Sequence, residues 1–332
     1  MSRRFFNNDP VNLTNRIERV AVVGAGGQIG RHLVDALLKT RRHRITAISR
    51  AGGSDQLPDG LEAVCVNYHD QQSLVQILKG HEFLVIALAG SAPFEIEKNC
   101  IVAAGKAGVP FVMTNCFSID FENQRLAEES CTANLVLPAL RAVEETQVCA
   151  WIPMMCSFWY EYSVTKGQEW YGFDLKNRKV TFFDDGQTKV AASTWQQCGR
   201  ALANLLSLKI LPEDEHDEEP TVSDWKNRPL RIKSFLISQR DILDSINRVQ
   251  GMTDKDWIIE HESSYDRWQR GLLELKSDDS TKRYLGFVTA LYSRTFFPNG
   301  DGIITDDVTA NTVLHLPEEN LDVITEQALR SL

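Results

Sequence analysis

Short apolar runs alternate with longer amphipathic stretches over the first half of the chain. The apolar runs lie at 20–23, 44–49, 63–66, 83–88 and 111–113. Each is too short for a helix and is rich in β-branched or aromatic side chains, as buried strands are. Between them, apolar residues recur at intervals that predict helices beginning near residue 29 and spanning 71–78 and 94–107. This alternation predicts an α/β fold with a doubly wound parallel sheet of the Rossmann type.

The pattern becomes less regular after residue 119. We predict an irregular segment at 120–132, a helix at 134–145 with Pro138 in its first turn, and a strand at 148–155 that is broken at Pro153. The later predicted elements are strands at 180–183 and 232–237, a hairpin turn at Asp185-Gly186, and helices at 195–206, 239–249, 262–275, 280–294 and 317–330. This mixture predicts a smaller α+β domain. We therefore divide the chain into a polar lead-in at 1–17, a Rossmann domain at 18–166, and a substrate-covering domain at 167–332 that is partly interleaved with the Rossmann domain.

A glycine turn joins the first strand to the first helix. Gly24, Gly27 and Gly30 follow the strand, and Gln28 and Ile29 separate the last two glycines. A strand, a glycine turn and a helix open the dinucleotide-binding folds, in which glycine lets the backbone approach a pyrophosphate. The first N–H groups of a helix lack intrahelical partners and can bind phosphate oxygens. The alternative is a glycine-rich turn that binds nothing, but its position between a strand and a helix favours a dinucleotide.

The ends of the second and third strands indicate which dinucleotide binds. The second strand ends at Arg50, with Ser54 nearby, and the next acid is Asp55. An acid at the strand end would bind the 2′-hydroxyl of NAD, whereas arginine can hold the 2′-phosphate of NADP. Arg50 therefore favours NADP, the alternative being an arginine that is merely solvated. Tyr68, which follows the third strand, either covers the adenine or packs at the strand end.

The carboxyl ends of the later strands predict the rest of the site, because ligands of such sheets bind there. Leu88, Ala89, Asn115 and Phe117 are expected to contact the cofactor, and Phe117 and Ser118 to face the substrate. An aromatic run, Phe158-Trp159-Tyr160-Glu161-Tyr162, follows the sixth strand. It predicts either a pocket wall that contains Phe158, Trp159 and Tyr162, or the core of a domain interface.

The composition narrows the possible partners and the compartment. The chain has 332 residues and a net charge of −9. It has no stripe of lysine and arginine, so we expect no nucleic-acid partner. No apolar run approaches the ~18 residues of a membrane span, and the N-terminus lacks the apolar core of a signal peptide. The seven cysteines form no Cys-x-x-Cys pair, which favours the cytoplasm and gives no zinc spacing.

The glycine spacing, Arg50 and two later runs together resemble a known family. The runs are Phe158-Trp159-Tyr160-Glu161 and Thr181-Phe182-Phe183-Asp184-Asp185-Gly186. From about residue 18 to 330 the chain is similar to the NmrA-like and isoflavone-reductase-like group of atypical short-chain dehydrogenases, especially its fungal branch. The resemblance implies an NADP-binding Rossmann domain and a small substrate domain over the nicotinamide. The group contains reductases of phenolic and polyketide-like molecules, and redox-sensing regulators that bind the cofactor without turnover.

Reductases of this group use a lysine on the helix after the fifth strand, and the chain departs from that pattern. No lysine occurs between Lys106 and Lys166, and Val136 takes the position. Tyr162 and Lys166 match the Tyr-x-x-x-Lys pair of ordinary short-chain dehydrogenases, in which the lysine lowers the pKa of the tyrosine. In those enzymes the pair precedes the sixth strand, whereas here it follows that strand. We therefore expect Tyr162 to act as a pocket hydroxyl and proton donor beside an apolar wall formed around Val136.

Three functions are consistent with these features. The one we favour is an NADP-dependent oxidoreductase that acts on a small apolar or aromatic carbonyl compound, in secondary metabolism. The second is an NADP-binding redox sensor that docks a protein partner. The third is an enzyme that retains the cofactor but catalyses an isomerisation or a dehydration.

Overall fold

A computed structural model describes residues 5–8, 14–50 and 57–332 of the protein. The strands are β1 (Arg19–Val23), β2 (Arg44–Arg50), β3 (Glu62–Val66), β4 (Phe83–Ile86), β5 (Phe111–Met113), β6 (Ala150–Trp151), β7 (Met154–Met155), β8 (Phe158–Trp159), β9 (Phe173–Asp174), β10 (Lys179–Phe183), β11 (Val190–Ser193), β12 (Leu230–Arg231), β13 (Phe235–Ile237) and β14 (Ile258–Glu262). The helices are α1 (Gly30–Thr40), α2 (Gln71–Leu78), α3 (Phe94–Ala107), α4 (Gln124–Glu129), α5 (Ala133–Glu145), α6 (Tyr160–Thr165), α7 (Trp195–Leu206), α8 (Gln239–Gln250), α9 (Ser264–Glu274), α10 (Ser280–Thr295) and α11 (Leu321–Arg330).

The first six strands form one parallel sheet in the order β3-β2-β1-β4-β5-β6. The apolar faces of α1 and α7 cover one side of this sheet, and those of α2, α3 and α5 cover the other. Chain order reverses between β1 and β4, which is the switch point where such sheets bind their ligands. The predicted α/β fold with a Rossmann-type parallel sheet is therefore confirmed.

The second half of the chain adds three small sheets and a third apolar core. The sheets have the orders β14-β10-β9, β13-β11-β8 and β12-β7. The third core is aromatic and buries Tyr171, Phe173 and Phe183. It also takes in residues from before position 166, among them Phe158 and Tyr160. The boundary at 166 stays a prediction. In the described part of the chain, no helix is long and apolar enough to cross a bilayer.

Two local predictions in the 120–155 region were wrong. The segment 120–132 contains α4, because the Asn123 side chain accepts the N–H of Leu126 and caps a short helix whose apolar residues are buried. Pro138 lies inside α5, more than one turn beyond its first residue, Ala133. The strand expected at 148–155 divides at Pro153 as predicted, but its two parts join different sheets.

The predicted hairpin at Asp185-Gly186 was also wrong. The N–H of Gly186 does bond to the carbonyl of Phe183 at 3.0 Å, so a turn is present. However, β10 pairs with β9 and β14, whereas β11 pairs with β8 and β13. Turn residues fix a local reversal of the chain and leave the pairing partner open. The strand expected at 232–237 is shortened to β13, and the short strand β12 that precedes it belongs to a separate sheet.

Candidate cofactor and substrate site

The turn after β1 is closed by contacts that only glycine permits. Gly24 has a φ of +82°, and a Cβ there would lie 2.2 Å from the carbonyl oxygen of Ala87. A Cβ on Gly30 would lie 2.0 Å from the carbonyl oxygen of Gly24. The N–H of Gly27 bonds to that same oxygen at 3.0 Å. The turn therefore packs against the end of β4 and against the start of α1, as a dinucleotide cradle requires.

The first turn of α1 presents unpaired N–H groups. Its N-cap residue, Ile29, contributes no side-chain bond. The N–H groups of Arg31 and His32 are already paired with carbonyls of the turn. Across the described ranges, those of Gln28, Ile29 and Gly30 have no acceptor. Unpaired N–H groups at the positive end of a helix fit a pyrophosphate.

Arg50 and Tyr68 lie near each other because they stand at the carboxyl ends of the neighbouring strands β2 and β3. Arg50 is the exposed last residue of β2 and pairs in register with Val66. The hydroxyl of Tyr68 donates to the carbonyl of Ile48 at 3.2 Å, which holds the ring beside the end of β2. Ser54 and Asp55 lie outside the described residues. The contacts of Arg50 with a ribose phosphate and of Tyr68 with the neighbouring base stay predictions.

The ends of β4 and β5 form the next part of the crevice. Leu88 is half-buried and Ala89 is exposed. Asn115 donates its backbone N–H to Oε1 of Glu97 at 2.7 Å. The carbonyl of Ser118 accepts the N–H of Ser157 at 3.0 Å, so the loop after β5 is fixed along the segment that leads to β8.

The aromatic run from Phe158 to Tyr162 has two environments. Trp159 is half-buried and lies 6.1 Å from Phe117 and 6.4 Å from Tyr162, measured between ring centroids. The ring of Phe158, in contrast, is 5% exposed and stacks on Tyr292 at 3.9 Å. Tyr160 is fully buried. Trp159 thus packs beside Phe117, whereas Phe158 belongs to the third core, as the interface alternative predicts, and the partly buried Tyr162 packs against that same core.

Lys166 contacts the ring of Tyr162, and the hydrogen-bond partner of the Tyr162 hydroxyl in the described structure is Tyr284. The Tyr162 hydroxyl lies 3.4 Å from that of Tyr284, and Lys166 Nζ lies over the tyrosine ring, 5.0 Å from its centroid. Burial and the neighbouring Tyr284 raise the pKa of Tyr162 well above its usual value. A tyrosine with a raised pKa is a weaker proton donor than an ordinary one.

Comparison with known proteins agrees with this geometry. A family model described as NAD(P)H-binding matches residues 24–146. The oxidoreductase aprR of Aspergillus flavus is 26% identical over 318 residues, which cover 94% of this chain and 99% of that protein. Among solved structures, the pinoresinol-lariciresinol and phenylcoumaran benzylic ether reductases superpose with a TM-score of 0.73 at 18% identity, over 94% of this chain and 99% of theirs. The leucoanthocyanidin reductase–NADPH complex of Vitis vinifera gives 0.70 at 15% identity, over 94% and 99%.

The chain has an NAD(P)H-binding domain and the fold of the isoflavone-reductase-like proteins. The resemblance drawn from the glycine turn and the later motifs is therefore confirmed. The match at 24–146 includes the turn, Arg50 and the loop after β5. The predicted presence of an NAD(P)H-binding domain is therefore confirmed. The assignment of individual site residues stays a prediction.

Val136, which we predict to stand at the position of the family lysine, lies in the core of the protein. Val136 lies in the first turn of α5, is 4% exposed, and packs in the apolar cluster behind the sheet. Leu135 points the other way and is 59% exposed. The first turn of α5 therefore carries no ammonium group, and Val136 contributes only apolar surface to the core.

Two buried carboxyl groups were missed by the sequence reasoning. Glu97 and Glu161 are each 7% exposed, and burial raises the pKa of each to about 7. The Glu97 carboxyl accepts the N–H of Asn115, which opposes this rise. A signal for Glu97 was present, because it shares helical spacing with the buried Cys100, Ile101 and Ala104.

Glu161 lies on the other side of the aromatic run, where two helices begin. Its Oε1 accepts the N–H of Trp195, the first residue of α7, at 3.2 Å, and its Oε2 is buried without a partner. Burial is the largest influence on the pKa of Glu161, and the backbone N–H groups of Glu161 and Trp195 oppose it. Smaller influences are the carboxylate of Glu319, which raises this pKa, and Arg200, which lowers it. Glu161 therefore connects α6 to α7 with a carboxyl group that holds its proton near neutral pH.

Proposed function

We propose that the protein is an NADP-dependent reductase of a small apolar or aromatic carbonyl compound, acting in the cytoplasm in secondary metabolism. The observations that support the proposal are the closed glycine turn after β1 and the neighbouring rings of Phe117, Trp159 and Tyr162, which we take as the wall of the substrate site. The relative aprR is named an oxidoreductase, and the leucoanthocyanidin reductase was solved with NADPH. Both support the reaction class.

The preference for NADP rests on Arg50. It is exposed at the end of β2, where the 2′-position of the adenosine ribose lies in this fold. Its guanidinium can pair with a phosphate through two parallel hydrogen bonds. NADH lacks that phosphate, so Arg50 would contribute nothing to its binding.

Each part of the chain then has a defined task. When bound, NADPH supplies hydride from its nicotinamide. The N–H groups of Gln28, Ile29 and Gly30 hold the pyrophosphate, and Arg50 holds the 2′-phosphate. Phe117 and Trp159 orient a flat substrate and exclude water, which strengthens polar interactions at the reacting carbonyl. Tyr162 is the hydroxyl on this wall and is proposed to bond the substrate oxygen.

A redox sensor is the second candidate. It is supported by the burial of the apolar Val136, which we place at the family lysine position, and by the raised pKa of Tyr162. A sensor needs the cofactor site but no proton donor. Its NADP-bound surface would dock a protein partner.

Two measurements separate these functions. Calorimetric titration with NADPH and NADH tests the cofactor assignment, and equal affinities would contradict the argument from Arg50. A screen of aromatic carbonyl compounds at 340 nm tests the reaction. NADPH oxidation that depends on a carbonyl compound supports the reductase. Tight NADPH binding with no turnover across the screen supports the sensor, and product without loss of NADPH supports isomerisation or dehydration.

A further inference from the structure

Glu97 occupies the edge of the sheet at which ligands bind. It lies in the first turn of α3, which follows β4, so this turn stands at the carboxyl end of that strand. Its Oε1 is held at 2.7 Å by the N–H of Asn115, two residues beyond the end of β5. The side chain therefore bridges the ends of two neighbouring strands beside the switch point. Crevices at such strand ends hold the reacting part of a dinucleotide.

The Glu97 carboxyl has one oxygen that is not committed to the protein. Within the described residues, the backbone N–H of Asn115 is its hydrogen-bond partner, and Oε2 has none. Burial and the N–H of Asn115 set the pKa of Glu97, and Glu97 in turn raises the pKa of two neighbouring thiols, those of Cys100 on its own helix and Cys116 on the loop after β5. Burial raises the pKa of both thiols, so both are uncharged at neutral pH. Among the residues that the structure describes, no cation lowers the pKa of Glu97.

We propose that Glu97 faces the nicotinamide end of the crevice and, as a neutral carboxyl, donates a proton to the substrate. This inference rests on the proposed reductase function and adds the proton donor to it. Hydride adds to the carbonyl carbon of the substrate, and the carbonyl oxygen takes the proton from Oε2 of Glu97. The products are an alcohol and a carboxylate, which then regains a proton from water. A carboxyl with a pKa of about 7 suits this task, because it holds its proton at cytoplasmic pH and can still release it.

Nucleotide binding tests the position of Glu97 without any substrate. The nicotinamide of NADP⁺ carries a positive charge and that of NADPH carries none. A carboxylate at Glu97 should therefore favour NADP⁺ as the pH rises through 7. We expect the affinity ratio of NADP⁺ to NADPH to increase about tenfold between pH 5.5 and 8.5, equivalent to ~1.4 kcal/mol. Titration of the phosphates cancels in this ratio because both nucleotides carry them.

Two variants sharpen the test. Glu97→Gln keeps an oxygen for the N–H of Asn115 and removes the titrating group, so the ratio should become independent of pH. Glu161→Gln removes the other buried carboxyl, which bonds to Trp195 instead, and the ratio should rise as it does in the wild type. Thermal unfolding at pH 5.5, where Glu97 is neutral, verifies that both variants fold.

The outcomes distinguish this inference from the function on which it rests. Tight binding of both nucleotides with a flat ratio in the wild type, or a rise that persists in Glu97→Gln, would overturn the assignment of Glu97 and leave the reductase proposal intact. A failure of the wild type to bind either nucleotide would overturn both.

Discussion

Replacing Glu161 with glutamine should change how the stability of the protein depends on pH. Burial raises the pKa of Glu161 from 4.5 to about 7 in the folded chain. Between those values the folded state holds a proton that the unfolded state has released. Stability therefore falls as the pH rises through this window. At ~1.4 kcal/mol per pKa unit, the loss is about 3 kcal/mol when the window has been crossed.

The variant removes this loss and leaves the shape of the side chain unchanged. Glutamine keeps an oxygen for the N–H of Trp195, but it places an amide where Oε2 has no partner. An unpaired buried amide costs ~1–3 kcal/mol at every pH. The difference between pH 5 and pH 8, and not the stability at one pH, is therefore the informative quantity. Because pH 5 already lies inside the window, we expect the variant to lose about 2.5 kcal/mol less than the wild type over that interval.

Urea unfolding followed by tryptophan fluorescence at pH 5, 6, 7 and 8 measures this difference. Glu260→Gln serves as the control, because Glu260 is an exposed partner of Lys179 and should not alter the pH dependence. Parallel curves for the wild type and Glu161→Gln would show that the carboxyl titrates normally when buried, and the reasoning would then be refuted. A pH dependence that vanishes equally in the control would show that surface charge is responsible.

Three further substitutions test the remaining assignments. Arg50→Ala removes a charge-assisted contact and should weaken NADPH binding about tenfold or more, as measured by calorimetry. The affinity for NADH should be unchanged. Equal losses for both nucleotides would argue against a phosphate contact. Tyr162→Phe should lower the rate of NADPH oxidation, followed at 340 nm, by about a hundredfold, which is far more than the loss expected in Lys166→Ala. The reverse order would favour the Tyr-x-x-x-Lys pair. Gly30→Ala should lower the melting temperature, because its Cβ would lie 2.0 Å from a carbonyl oxygen, whereas the added Cβ of Gly90→Ala meets open space; equal melting temperatures would contradict the packing.

The elements that the sequence predicted best have their causes within a few neighbouring residues. The helix at 71–78 begins where the Asp70 side chain accepts the N–H of Ser73, and the helix at 94–107 ends where Gly108 adopts a positive φ. Both bounds agree with the prediction because a cap is a local signal. The glycine turn is local in the same sense, since strand, turn and helix are contiguous.

The second half was less predictable because its strands pair over long distances. β8 and β11 lie side by side although thirty residues separate them. Two or three residues of strand carry no pattern that identifies a partner. The environment of Glu161 depends on the same pairing, since β8 leads into α6 and β11 leads into α7. Its burial could therefore not be derived from its own neighbourhood, in contrast to that of Glu97.

Glu97 also separates the two leading functions, because each would use a different protonation state. A reductase needs the neutral carboxyl as a donor, so turnover should fall above pH 7. A sensor must distinguish NADP⁺ from NADPH, and only the carboxylate does so by charge, so its discrimination should increase above pH 7. For either function, the pH dependence of the affinity ratio of NADP⁺ to NADPH tests whether Glu97 lies near the nicotinamide. The way in which turnover changes with pH then determines the function, because a protein that only senses its cofactor shows no turnover at any pH.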